Sequence, residues 1–222
     1  MKIFIVYWHP EPQSLNAALL ETACRTFAET GHEVEVSNLH QMGFDPLSGR
    51  NNFVTVKDPA YFKQQAEELY ATKANGFAPE IETEIRKLEW CELMIWQFPL
   101  WWFGLPAMLK GWVDRVMAMG RTYGGSRIYQ GGVFHGKRAM LSLTTGGPET
   151  AYVKGAFNGD ISAILRPVHR GVLQFVGFDV LAPHIVFGAA RIGEEQRKQA
   201  LAAFAARLQG IAGELPIDVG IY

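Results

Sequence analysis

Residues 2–31 read KIFIVYWHPEPQSLNAALLETACRTFAETG: an apolar run, a polar loop with two prolines, and a periodic segment that ends at a glycine. The run at residues 2–8 is β-branched and aromatic, which is typical of a strand buried on both faces of a parallel sheet. Ser14 or Asn16 can cap the segment that follows, where residues 17–29 repeat apolar side chains at helical spacing. The order strand, loop, helix predicts the opening unit of an α/β fold.

The same alternation continues along the chain. Further strands are predicted at residues 32–39, 91–99, 138–145 and 178–187, the last interrupted by Pro183, and helices at residues 59–72, 79–88, 106–119, 160–175 and 194–210. Units of this length predict a doubly wound parallel sheet of five strands with helices on both faces. Two long segments without periodicity, residues 41–58 and 121–136, are predicted to be covering loops of a single domain over residues 1–222.

Composition excludes several classes of protein. The chain of 222 residues is 48% hydrophobic and 19% charged, so it is expected to fold rather than stay disordered. Its formal net charge of -1 argues against a general nucleic-acid binder or a protein held on an anionic membrane. No apolar run is long enough to cross a bilayer, and the distant Cys24 and Cys91 fit no zinc or redox motif. We therefore expect a cytoplasmic protein.

Ligands of such sheets bind beyond the carboxyl ends of the strands, so the loops after the first, third and fourth strands form the candidate site. The first loop brings the hydroxyl of Ser14 and the amide of Asn16 to a helix start, where they can hold a phosphate. Because neither GxGxxG nor GxxxxGK[ST] occurs, this hydroxyl-rich loop favours a flavodoxin-like sheet over a dinucleotide-binding Rossmann fold. The equal alternative is that Ser14 only caps the helix and His9 only forms a turn.

The third loop, QFPLWWFGLPAMLKGW, sets Trp101, Trp102 and Phe103 side by side after a buried strand. Such rings would offer a face to a flat conjugated ligand and exclude water from it. The fourth loop, TTGGPETAY, adds two hydroxyls and then Gly146 and Gly147, whose backbone can approach a ligand closely. Each feature also has a purely structural explanation, core packing for the rings and a turn for the glycines.

Together the three loops resemble the FAD-dependent NAD(P)H:quinone reductase family, also called DT-diaphorases, over nearly the whole chain. The resemblance lies in KDPAYF at residues 57–62, QFPLWWFGLPAMLKGWVDRV at 97–116, LTTGG at 143–147 and GVLQFVGFDVLAP at 171–183. It implies a flavodoxin-like homodimer that binds FAD non-covalently. It also implies two-electron reduction of quinones by NAD(P)H, in a ping-pong hydride relay through the flavin.

The resemblance implies site residues as well, with the active site at the dimer interface. Tyr152 would stabilise the reduced flavin. The catalytic set is completed by Gly146, Gly147 and Asn158, and Asp114 would reach the cofactor of the other subunit. The wall where nicotinamide and quinone alternate would be Phe103, Tyr123, Ile128 and Phe175. The residues expected to bind FAD are His9, Gln13, Ser14, Leu15, Asn16, Pro99, Leu100, Trp101, Trp102, Phe103, Thr144, Thr145, Gly146, Gly147, Tyr152 and Arg197.

The sequence departs from the family pattern in four places. Asn158 stands where the best-known animal enzyme has a histidine, and an amide cannot titrate, so a proton relay must end in solvent or rely on electrostatics alone. Lys63 and Trp101 replace glutamines near the cofactor. Arg170 and Gln174 stand where one branch has metal-binding histidines, so no metal is predicted. The sequence stops at Tyr222, so the extra C-terminal module with which the animal enzymes grip the adenosine half of the donor is not expected. One animal branch that prefers truncated dihydronicotinamide donors also carries asparagine at the place of Asn158, so the choice among NADH, NADPH and smaller donors stays open.

Three alternatives stay open on the sequence. A flavin over an open aromatic pocket also suits an FMN- or FAD-dependent azo- or nitroreductase. A flavoprotein subunit that docks on a transporter and regulates it is a second alternative. A flavin-free α/β binding protein is the third, and it requires the aromatic loop to be plain core.

Overall fold

The computed structural model describes residues 1–220, so the last two residues of the domain predicted over 1–222 lie outside the described residues. Its strands are β1 (Lys2–Tyr7), β2 (Glu33–Asn38), β3 (Leu93–Pro99), β4 (Arg138–Thr144), β5 (Asp179–Val180) and β6 (His184–Val186). Its α-helices are α1 (Leu15–Glu29), α2 (Gln64–Ala74), α3 (Pro79–Trp90), α4 (Ala107–Val116), α5 (Ile161–Val168) and α6 (Glu194–Gly210). Among the described helices, none combines the length and the apolar character needed to cross a membrane.

The strands form one parallel sheet in the order β2-β1-β3-β4-β5, and β6 pairs with β4 further along its length. The predicted flavodoxin-like doubly wound sheet with helices on both faces is therefore confirmed. The fifth position is divided between β5 and β6, as the interruption at Pro183 predicts, because a proline has no N–H to donate to the ladder.

Strand β1 shows how the sequence builds two cores. Successive side chains of a strand point to opposite faces of the sheet. Ile3 and Ile5 pack on one face with α1 and α6, while Phe4 and Val6 pack on the other with α3 and α4. A strand covered on both sides has no solvent face, which explains why the run is apolar at every position after the exposed Lys2.

Two predicted helices differ from the structure at their ends. Helix α2 begins only at Gln64 because the buried carboxylate of Glu67 accepts the backbone N–H groups of Lys57 and Asp58, at 2.7 and 3.1 Å, and holds the preceding segment as a loop. Helix α5 passes into a π-helical segment, His169–Gln174. Pro167 lies just before this change, and a proline inside a helix removes one of its hydrogen bonds.

The predicted covering loop at residues 41–58 is fixed by one buried arginine of α4. Arg115 is 1% exposed, and its guanidinium donates from Nε to Asn52 Oδ1 at 2.6 Å and from Nη1 to the Asp45 carbonyl at 2.7 Å. It also donates from Nη2 to Glu80 Oε1 at 2.5 Å. A buried charge needs such partners, so the loop and α4 stabilise each other.

The second covering loop, residues 121–136, packs on the segment before β5. The ring of Phe134 stacks on Phe178 with centroids 4.8 Å apart, and Gly132 crosses Gly177 so closely that a Cβ on Gly132 would lie 2.4 Å from the Gly177 Cα. Both glycines are needed for this approach of two backbones. The loop is thereby attached to the chain that leads from the π-helical segment into the sheet.

Replacing Arg115 with methionine keeps an apolar stem but leaves the acceptors of Asn52 and Asp45 without a donor. We expect the free energy of unfolding, measured by urea titration, to fall by about 2–4 kcal/mol. The matched control is Arg86→Met, which removes an ion pair to Glu82 from a side chain that is 74% exposed and should change stability by less than about 1 kcal/mol. Equal losses in the two variants would contradict the role of Arg115.

Candidate active site

A cleft of about 440 Å³ opens at the carboxyl edge of the sheet, and the loops after β1, β3 and β4 line it. It collects most of the residues expected to bind FAD: His9, Gln13, Ser14, Leu15, Asn16, Pro99, Leu100, Trp101, Thr144, Thr145, Gly146 and Arg197. Ala189 and Ala190 also line it. We call it the first cleft.

The start of α1 offers backbone donors to this cleft. Ser14 is the N-cap, and its hydroxyl accepts the N–H of Ala17 at 3.1 Å. The next two N–H groups, those of Leu15 and Asn16, have no acceptor in the part of the chain that the structure describes. They lie at the positive end of the helix dipole, which favours an anion such as a phosphate.

The side chain of Asn16 is used inside the protein. It is 3% exposed, its Nδ2 donates to Thr144 Oγ1 at 2.9 Å, and its Oδ1 accepts from Gln97 Nε2 at 2.8 Å. The amide therefore connects the start of α1 to β3 and β4. Gln97, 1% exposed, was not anticipated, although it is the one polar residue in the strand LMIWQFP.

His9 is shaped by its neighbour. His9 Nδ1 lies 3.0 Å from the backbone nitrogen of Glu11 and 3.2 Å from its carbonyl oxygen. Burial lowers the pKa of the imidazole, and the contacts with Glu11 only partly offset this effect. The uncharged form of the ring is therefore favoured at neutral pH.

The aromatic loop is a tight turn in a rare conformation. Trp101 and Gly104 exchange backbone hydrogen bonds of 3.3 and 3.0 Å, and the two residues between them, Trp102 and Phe103, have φ of 51° and 58°. Such turns normally carry Asn and Gly, because left-handed φ is unfavourable for residues with a Cβ. Trp102 is 98% exposed, whereas the ring of Trp101 packs edge-on against Trp8 at 5.0 Å.

Three residues of the predicted catalytic set lie together. A Cβ on Gly147 would lie 3.1 Å from Tyr152 Cε2 and 3.2 Å from Asn158 Nδ2, so only a glycine leaves both side chains undisturbed at this point. Tyr152 is 8% exposed. The hydroxyl of Thr145 donates to the Gly147 carbonyl at 2.8 Å and fixes the peptide. The fourth member, Gly146, lines the first cleft.

The residues of the predicted substrate wall do not share one cleft. Tyr123 and Phe175, with rings 5.5 Å apart, line a second cleft of 410 Å³ together with Asp114. Ile128 lines a third cleft of 710 Å³. Neither has a lining residue in common with the first cleft, and Phe103 lines none of the three. Within one chain the wall is thus divided from the residues expected to bind the flavin.

The second cleft also contains polar residues that the sequence did not indicate. Glu68 is 2% exposed, and its carboxylate accepts the N–H of Met119 at 2.7 Å and the amide of Gln64 at 3.0 Å. Burial raises the pKa of this carboxyl. Gln65 Nε2 donates to the hydroxyl of Tyr123 at 3.3 Å. Both residues belong to a helix whose polar pattern gave no sign of a site.

Comparison with known proteins finds relatives along nearly the whole chain. The model of a flavodoxin-like fold family matches residues 1–211. NAD(P)H dehydrogenase [quinone] 1 of Cavia porcellus is 40% identical over 97% of this chain and 79% of its own length. Ribosyldihydronicotinamide dehydrogenase [quinone] of Mus musculus is 42% identical over 97% of this chain and 94% of its own. A solved structure from Klebsiella pneumoniae, assigned as a quinone reductase, has a TM-score of 0.92 and 36% identity, covering 98% of this chain and 87% of that one.

The conformation of Trp102 is expected to destabilise the flavin-free protein. Trp102→Asn places a residue that tolerates left-handed φ in this position, so we expect the free energy of unfolding of the flavin-free protein to rise by about 1 kcal/mol. Urea titration at a fixed protein concentration measures it. Phe157→Asn is the control, since Phe157 is 99% exposed but outside the left-handed region. A rise of the same size in both variants would show that loss of an exposed ring, rather than relief of strain, is responsible.

Proposed function

We propose a specific reaction for this chain, which belongs to the flavodoxin-like family of NAD(P)H:quinone oxidoreductases, a family of flavin-binding enzymes. In this proposal the protein reduces quinones with FAD. It does so as a homodimer in which two copies share each active site. The relatives act on quinones by name, so the azo- or nitroreductase and the transporter subunit are not favoured. A cytosolic location, where both pyridine nucleotides are supplied, forms part of the proposal.

One observation carries the proposal: at one edge of the sheet the first cleft combines Trp101 of the aromatic turn, Gly146, and two N–H groups at the start of α1 that have no acceptor among the described residues. These groups suit the parts of a flavin nucleotide. The N–H groups of Leu15 and Asn16 and the imidazole of His9 would hold phosphate, and the Trp101 loop would cover the ring. Arg197 lines the same cleft and adds a cation where the adenosine half would extend, which supports FAD over FMN.

When bound, the flavin supplies hydride transfer, accepting from NAD(P)H and donating to a quinone. The phenol of Tyr152 would donate a hydrogen bond to negative charge that develops at the polar edge of the ring. Gly147 leaves the room that Tyr152 and Asn158 need beside it. Asn158 can donate a hydrogen bond but cannot supply a proton, so protons would come from solvent.

The dimer is proposed because one chain holds the two halves of the site apart. The flavin half is the first cleft with Tyr152 and Phe103, and the wall half is the pair Tyr123 and Phe175 in the second cleft. A second copy would bring a wall to each flavin. Apolar side chains that a partner could cover are exposed along the chain from the first covering loop to α2, namely Leu47, Val54, Val56, Tyr61, Leu69 and Tyr70.

The activity is tested with the purified chain. Heat-released cofactor, separated by chromatography, should be FAD, and anaerobic stopped-flow should show flavin bleaching by NADH or NADPH followed by reoxidation with menadione. Turnover with menadione should exceed turnover with an azo dye. Released FMN would overturn the cofactor assignment, and bleached protein that menadione fails to reoxidise would overturn the proposed reaction.

Tyr152→Phe removes one donor and little volume. Since the hydrogen bond strengthens as charge develops, we expect flavin content to stay unchanged and the limiting rate of flavin reduction to fall on the order of tenfold or more. Stopped-flow absorbance measures the rate. Tyr61→Phe is the control, because Tyr61 is exposed between the first covering loop and α2 and the variant keeps its apolar ring. A parental rate in Tyr152→Phe would remove Tyr152 from the mechanism.

Mixed dimers test the shared site. Gly147→Val should block the flavin half, because a Cβ already lies 3.1 Å from Tyr152, and Phe175→Ala should impair the wall half. In a shared site, random pairing of the two inactive chains restores about a quarter of the parental activity, since half of the dimers carry one intact site. Activity of the co-expressed chains that equals the mean of the two variants would place each site within one chain.

A further inference from the structure

A row of three aromatic rings separates the second cleft from the third. Phe175 lies in its middle, with the ring of Tyr123 tilted at 59° on one side and the ring of Tyr129 edge-on at 85° on the other, both with centroids 5.5 Å away. Tyr123 and Phe175 line the second cleft, and Tyr129 lines the third. We call this the ring row. A different polar side chain contacts each end of the row. At the Tyr123 end this side chain is Gln65.

Tyr129 holds its end of the row in an unfavourable backbone conformation. Its φ is 50°, in the left-handed region that a residue with a Cβ avoids. Its N–H donates to the Phe175 carbonyl at 2.9 Å, which joins the second covering loop to the π-helical segment. A strained residue persists only where its surroundings over-determine it, and such residues concentrate at functional sites.

Arg170 supplies the remaining contact. Its guanidinium lies over the ring of Tyr129 with the carbon 4.0 Å from the centroid, and its Nη1 donates to Gln174 Oε1 at 3.2 Å. Arg170 and Gln174 both belong to the π-helical segment that ends beside Phe175. This short segment and the residue directly after it therefore hold Tyr129 through two contacts, the Arg170 guanidinium and the Phe175 carbonyl.

We infer that Arg170 is a positioning residue for substrate binding, holding Tyr129 and through it the ring row against which the nicotinamide and the quinone lie. The inference rests on the proposed function. Arg170 acts on the wall through the Tyr129 ring, without touching substrate. A guanidinium that is partly removed from water over an aromatic face is among the stronger cation–π arrangements, and its planar shape matches the ring in a way that an ammonium does not.

The test separates substrate binding from hydride transfer. Arg170→Met keeps the length of the side chain and removes its charge, so KM for menadione and for the nicotinamide donor should both rise roughly threefold to tenfold, with kcat and flavin content nearly unchanged. Arg170→Lys should recover part of the effect. Tyr129→Asn relieves the strain but removes the ring, so it should raise both KM values as Arg170→Met does.

The control is Arg25→Met, an exposed residue of α1 that lines none of the three clefts. Unchanged KM values in Arg170→Met would overturn the inference, and so would a lower thermal midpoint with both KM values intact, which indicates a structural role alone. A KM that rises for phosphate-bearing donors, but not for menadione or for a donor without phosphate, would also overturn it, because Arg170 would then contact the donor directly. Failure of the proposed function itself is distinct, since the parental protein would then lack turnover with menadione.

Discussion

The buried amide of Asn16 is the constraint on which the site depends. It accepts from Gln97 on β3 and donates to Thr144 on β4 while its own backbone starts α1, so the strand ends that carry the three loops are tied at one point. All three side chains are almost fully buried, where a hydrogen bond is strong and an unpaired group is costly. The starts of the three loops are therefore held close together at this edge of the sheet.

Near the clefts, three residues adopt backbone angles that their residue types disfavour. Trp102, Phe103 and Tyr129 all have left-handed φ, and none is a glycine or an asparagine. The first turn is closed by the backbone hydrogen bonds between Trp101 and Gly104, and Tyr129 is held by the distant Phe175 carbonyl. Strain of this kind is retained where ring position has a use, and both turns place aromatic rings beside clefts.

The two halves of the site are supported by different parts of the chain. The proposed flavin half is built on the central strands and on the Asn16 amide. The wall half stands on covering segments, with Tyr123 on the second covering loop and Phe175 just after the π-helical segment. The similarity to the relatives covers 97% of this chain and so includes both halves. This agrees with a fold in which both halves belong to one enzyme.

Much of the fold could be predicted from the sequence, because periodicity and turn residues are local signals. Helix α6, Glu194–Gly210, has the predicted bounds, the division at Pro183 was visible, and the residues of the first cleft follow from strand ends that parallel pairing brings together. The Arg115 clamp, the left-handed Trp102 and the separation of Tyr123 from Phe103 were beyond reach. Each depends on partners that are distant in sequence or on a backbone angle that the residue type disfavours, and only the packed chain decides such contacts.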